Sequence, residues 1–188
     1  SAGVGQSGFV VAKLNSSGTH IWSKAFQSSS SLDCAGVAAD SAGAVVIAGE
    51  LSSTVDFGNG ALTSAGSTDV FVAKLSGANG AALWSKRFGD ASQQLLAAVS
   101  AGPSDAIVVV GTHSGTWNFG GPNFTSSGTD VYIARLDSSG NWACSKTIDE
   151  GGAPKAIASD SLGGFVIGGG NGVAPADFGG GPLPALGG

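Results

Sequence analysis

Four short landmarks recur three times in the same order, so the chain must be assembled from copies of one small unit. Phe9-Val10-Val11-Ala12-Lys13-Leu14 returns as Val70-Phe71-Val72-Ala73-Lys74-Leu75 and as Val131-Tyr132-Ile133-Ala134-Arg135-Leu136, with Lys74 61 residues after Lys13 and Arg135 61 after Lys74. Ile21-Trp22-Ser23-Lys24-Ala25-Phe26 is matched by Leu83 to Phe88 and, less faithfully, by Ala143 to Ile148, where Cys144 replaces the tryptophan. Val46 to Gly49 matches Val108 to Gly111 and Val166 to Gly169, and each unit closes on Asp56-Phe57-Gly58, Asn118-Phe119-Gly120 or Asp177-Phe178-Gly179. The units run approximately 1–65, 66–127 and 128–188, within one repeat domain spanning 1–188.

Each unit reads as two hairpins, hence four antiparallel strands. Asn15 to Gly18, Ser76 to Gly80 and Asp137 to Gly140 place Asp, Asn or Ser at the opening of a turn and glycine where positive φ is needed. A second set of turns falls at Asp40 to Gly43, Gly102 to Asp105 and Asp160 to Gly163. Between them the chain alternates: Phe71, Ala73 and Leu75 share one face, Val72 and Lys74 the other. No segment carries a capped helical stripe, so the fold class is all-β.

A repeated four-stranded antiparallel unit suggests β-propeller blades, and the landmarks also carry a family likeness. Trp84-Ser85-Lys86-Arg87-Phe88-Gly89, the turn at Asp40 to Gly43, Val46 to Gly49, Asp56-Phe57-Gly58 and the lead from Gly66 to Leu75 resemble bacterial extracellular propeller repeats of about 60 residues from myxobacterial surface proteins, related to SBBP repeats. The resemblance covers nearly the whole chain and implies an extracellular or cell-surface module with no common chemistry. If the strands near 36–50 and 70–88 form one blade, the chain begins with the second half of a blade and ends with the first half, so that its termini would complete one blade together. Three blades fall below the usual four to eight. Either the chain is part of a larger propeller, or two copies join in a homodimer, or the sheets close about a threefold axis as a β-prism or β-trefoil; an open β-solenoid is the last alternative.

Composition narrows the function classes. A net charge of −5 and a pI near 4.6 oppose nucleic-acid binding, and no apolar run approaches the roughly 18 residues of a membrane helix. The chain begins at Ser1 and lacks methionine and any leader-like segment, which reads as processing or trimming. Partners are therefore expected among proteins or glycans, met at loops. No cofactor is implied.

Six basic residues sit at repeat-equivalent positions, Lys13, Lys74 and Arg135 in one strand and Lys24, Lys86 and Lys146 in the next, which marks them as scaffold. Asp40, Asp160, Asp69 and Asp130 are expected to accept backbone N–H bonds; calcium is the rival ligand, but the dense acidic loops it favours are missing and no metal site is assigned. Asp149-Glu150 reads as a solvated loop. Catalysis lacks a signature: His20 and His113 are not equivalent, and no GxSxG elbow occurs. The leading expectation is a non-catalytic recognition module, with a carbohydrate-binding lectin as the alternative and a hydrolase as the third. His113, Trp117 and Asn118, in a loop expected over Thr112 to Asn118, are the candidate ligand residues, because Trp117 replaces Val55, His113 has no counterpart, and an exposed Trp beside His and Asn suits a sugar ring; packing of Trp117 between sheets is the competing expectation. Cys34 and Cys144 are expected to be unbridged, buried thiols, because strand positions this far apart exceed disulfide reach.

Overall fold

In the computed structural model, residues 6–149, 152–170 and 177–183 are described; they form fourteen antiparallel strands, with no α-helix among them. β1 (Ser7–Leu14) and β2 (His20–Ser28) form a lone hairpin. β3 (Leu32–Ala39), β4 (Val45–Leu51), β7 (Asp69–Leu75) and β8 (Ala82–Phe88) make a four-stranded meander, whose β4–β7 connection carries a small hairpin, β5 (Thr54–Asp56) and β6 (Ala61–Thr63). β9 (Gln94–Ala101), β10 (Ile107–Trp117), β11 (Phe124–Leu136) and β12 (Trp142–Ile148) repeat the meander. β13 (Ala153–Ser159) and β14 (Phe165–Gly170) form the last lone hairpin. Sheets therefore straddle repeat boundaries: each full sheet takes two strands from one unit and two from the next.

One device sets the turns. Asp40 Oδ1 accepts the N–H groups of Ala42 and Ala44 at 3.0 and 2.7 Å, and Asn15, Asp56, Asp137, Asp160 and Asp177 each accept from the residues two and four positions on. A carboxylate or amide oxygen thereby satisfies two donors that a tight turn strands, which is why Asp and Asn open these turns. Bulges repeat as faithfully. Lys13 faces Trp22 while Leu14 faces His20, Lys74 faces Trp84 while Leu75 faces Ala82, and Arg135 faces Cys144 while Leu136 faces Trp142. Ile21, Leu83 and Ala143 are the extra residues, and Ile21 and Leu83 are accordingly pushed out to solvent.

The four sheets stack in chain order, each pair sharing a core. Val11, Trp22 and Phe26 of the first hairpin pack on Ile47, Phe71, Ala73 and Leu75. On its other face the second sheet sets Val46, Ala48, Val70 and Val72 against Val99, Tyr132, Ala134 and Leu136 of the third. The third sheet offers Val131, Ile133 and Ile148 to Ile157 and Ile167 of the last hairpin. Alternation thus feeds two cores at once: within one strand, Val70 and Val72 serve the following sheet while Phe71, Ala73 and Leu75 serve the preceding one. Gly49 and Gly111 are required by close approach, since a Cβ there would strike the carbonyls of Asp33 and Leu95.

Candidate functional site

The repeated polar and aromatic residues act mainly as fastenings between elements. Trp22 donates its indole N–H to Gly77 O at 3.1 Å and lies against Gly80 in the β7–β8 turn; Trp84 does the same to Ser138 O at 3.2 Å and to Gly140 in the β11–β12 turn. Lys13 donates to Gly43 O at 2.6 Å, and Lys86 donates to Gly140 O and Asn141 Oδ1 at 2.9 and 2.8 Å. Lys74 Nζ stands 2.7 Å from Asp40 Oδ2, with both side chains buried, and lies 3.4 Å from Ser138 O of the next sheet. Lys146 donates to Phe178 O, and the stem of Lys24 lies against Gly80. Asp69 is fully buried beneath Arg87, with Nη1 2.6 Å from its Oδ2 and Ala65 N at 2.7 Å. Beside it Gln94 exchanges hydrogen bonds with the side chain and backbone of Asp90.

The predicted triplet does not assemble as an exposed cleft. Residues 112–117 are strand rather than the expected loop: β10 and β11 continue where the first unit breaks into β5 and β6, and their far ends fold His113 and Trp117 inward. Trp117, 3% exposed, lies 4.7 Å from Phe119, 5.2 Å from Tyr132 and 5.8 Å from Phe124, centroid to centroid. The His113 ring, 1% exposed, sits 5.6 Å from Phe124 and 5.9 Å from Trp117. The indole therefore presents no open face for stacking on a sugar. Asn118 is half-buried and closes a turn, donating to Asn123 Oδ1 and accepting from Gly120 N.

Burial also sets the His113 titration: it lowers the pKa below the ordinary 6.5, against the opposing pull of Asp130, Ser114 and Asp90. Well above pH 6.5 the imidazole is neutral in both folded and unfolded chains. Just below it the unfolded chain takes up the proton first, so stability falls as pH falls. We expect the melting temperature to decline between pH 7.5 and 5.5 in thermal scans, and His113→Leu to flatten that slope.

A groove that the sequence reading missed lies nearby. Lys86, Arg87, Asn118, Asn141 and Trp142 border a cleft of about 490 Å³ floored by Phe88 and Phe119. Trp142 is 37% exposed, its ring rests on the Gly121 backbone, and its N–H donates to Ser145 Oγ at 3.0 Å. Sequence did hold a signal: Trp142 occupies the position of His20 and Ala82, so it is peculiar to one unit. Of the predicted residues only Asn118 reaches this groove.

Both cysteines are free. Cys34 is half-buried in β3, and burial pushes its thiol pKa up. Cys144 corrects the expectation of a buried thiol: it is exposed on β12, because no described turn covers it as the β7–β8 and β11–β12 turns cover Trp22 and Trp84. Asp149 is exposed as expected, and Glu150 lies outside the described residues. No family model matches the chain, and no curated protein matches it.

Proposed function

We propose that the chain is a non-catalytic structural and recognition module of the cell exterior, built from propeller-type blades. The observation that carries this reading is the use of the repeated charged and aromatic residues: Trp22, Trp84, Lys13 and Lys86 are bonded to the turns of the following sheet. A unit that spends its recurring chemistry on joining itself to its neighbour is a building block, and recognition falls to what varies between units. Four-stranded antiparallel meanders stacked face to face, with a half-sheet at either end, support the blade reading over a prism or trefoil. The exterior location rests on the resemblance of the repeat. External protease added to intact cells should remove the protein; full protection would overturn the location.

A second reading is favoured by one feature, the Trp142 groove. A half-exposed indole flanked by Asn118, Asn141, Lys86 and Arg87 combines an apolar platform with hydrogen-bond donors and acceptors, the chemistry of a glycan subsite. On a glycan array, saturable binding lost in Trp142→Ala at unchanged melting temperature would establish a lectin. Sustained turnover on a hydrolase substrate panel would overturn the non-catalytic reading itself.

A further inference from the structure

The two ends of the stack expose apolar residues at positions that are buried wherever the unit has a neighbour. Val10 is 77% exposed, whereas its equivalents Phe71 and Tyr132 are fully buried; Leu14 is 54% exposed, against 0% for Leu75 and Leu136. Val166 is 71% exposed, against 0% for Val46 and 3% for Val108. Val37 is 62% exposed, against 8% for Val99, and Phe178 is 44% exposed, against 4% and 2% for Phe57 and Phe119. The residues are apolar in all units; what differs is whether a sheet lies next to them.

The missing neighbours are complementary. Among the described residues β14 pairs with β13 alone and β1 with β2 alone, although their equivalents pair with each other twice, β4 with β7 and β10 with β11. Both pairings share one register: Val45 faces Leu75 as Ile107 faces Leu136, and Gly49 faces Phe71 as Gly111 faces Tyr132. Carried to the ends, Phe165 faces Leu14 and Gly169 faces Val10. An apolar groove of about 480 Å³ runs beside β14, bordered by Ile133, Cys144, Ile148, Ile167 and Phe178, where the equivalents of Val10, Ala12 and Leu14 lie in the inner sheets. Gly18 matches Gly80 and Gly140, whose would-be Cβ atoms meet Trp22 and Trp84, yet nothing lies within 4 Å of it. Cys144, standing where those tryptophans stand, is likewise uncovered.

We infer that β14 of one copy takes β1 of a second copy as its neighbouring strand, antiparallel, with Phe165 opposite Leu14, so that two chains complete each other's terminal sheets. The inference rests on the blade reading and supplies its partner. Pairing within one chain would close only three sheets, whereas two copies close six, within the range in which such rings are found. Two copies also pair the free inner edges of both terminal hairpins, with β13 laying Ala156 and Ala158 over Val37 of the partner copy as β3 lays Gly36 and Ala38 near Val99.

The test uses the full chain with Cys34→Ser and Cys144→Ser, adding Leu14→Cys and Phe165→Cys, two exposed positions whose loss leaves the single-chain core intact. Opposed residues of an antiparallel pair lie within disulfide reach, so mild oxidation should convert the chain to a covalent dimer on a non-reducing gel. The pair Leu14→Cys with Val166→Cys, on opposite faces, should not convert. Light scattering of the unmodified protein should give twice the 18.1 kDa chain mass, halved by Val10→Glu with Leu14→Glu. A monomer, an intrachain bridge, an open-ended ladder or trapping by the off-face pair would each overturn the inference. A monomer whose small-angle scattering fits four stacked sheets would do so while leaving the blade reading intact; one that does not fit would remove both.

Discussion

Trp117→Ala should lower unfolding free energy by about 3–5 kcal/mol, the usual cost of truncating a fully packed large aromatic. Four ring contacts, to His113, Phe119, Phe124 and Tyr132, converge on this indole, and the cluster also joins Val46, Val70 and Val72 of the neighbouring sheet. The vacated space is walled by rigid rings and strands that cannot collapse into it. For a chain of this size the melting temperature should drop by about 6–20 °C, with a lower urea midpoint at an unchanged slope. Trp117→Phe should restore most of the loss. A variant that melts normally but loses binding to a ligand would show that the indole serves recognition after all.

Lys74→Ala should cost a comparable amount, about 3–5 kcal/mol, because it strands the Asp40 carboxylate in a buried site. Asp40 is 2% exposed in its side chain and its other oxygen is committed to Ala42 and Ala44, so the charge cannot turn to water without opening the β3–β4 turn. Replacing both partners tests the cause. Asp40→Asn retains an oxygen for the turn, and in the double variant with Lys74→Met no charge remains to be stranded. The double variant should therefore be more stable than Lys74→Ala by thermal melt and urea titration. If Lys74→Ala melts as the parent does, the pair is not the fastening that its geometry indicates.

Twelve of the fourteen strands were legible because turns and alternation are local physics, whereas β5, β6 and the run of β10 through His113 to Trp117, which reads as a loop in the sequence, were not. Asp40, Asp137 and Asp160 open turns through bonds to residues two and four ahead, and Val70 to Leu75 alternates because it serves two cores. Sheet membership followed from the repeat order, which leaves a second-half hairpin at one end and a first-half hairpin at the other. The scaffold role of Lys74 was legible for the same reason, since a need that recurs in every unit is structural.

Exposure was not legible, because it depends on what lies across the next sheet. Trp117 differs from Val55 and could be read either as an exposed ligand residue or as a ring packed between sheets; the packed reading holds, since both positions face inward and both are buried. Trp142 replaces Ala82 and His20 and sits at a sheet edge, so that substitution reaches solvent and builds a groove. Cys144 holds the tryptophan position of the repeat yet is exposed, since burial there comes from a turn of another sheet. The sequence by itself determined the unit, its strands, its turns and its order, all written in contacts between near neighbours along the chain. Only the tertiary structure decided which side chains are covered, because the stacking of sheets brings together residues more than fifty positions apart, as Trp22 meets Gly77 and Lys74 meets Ser138.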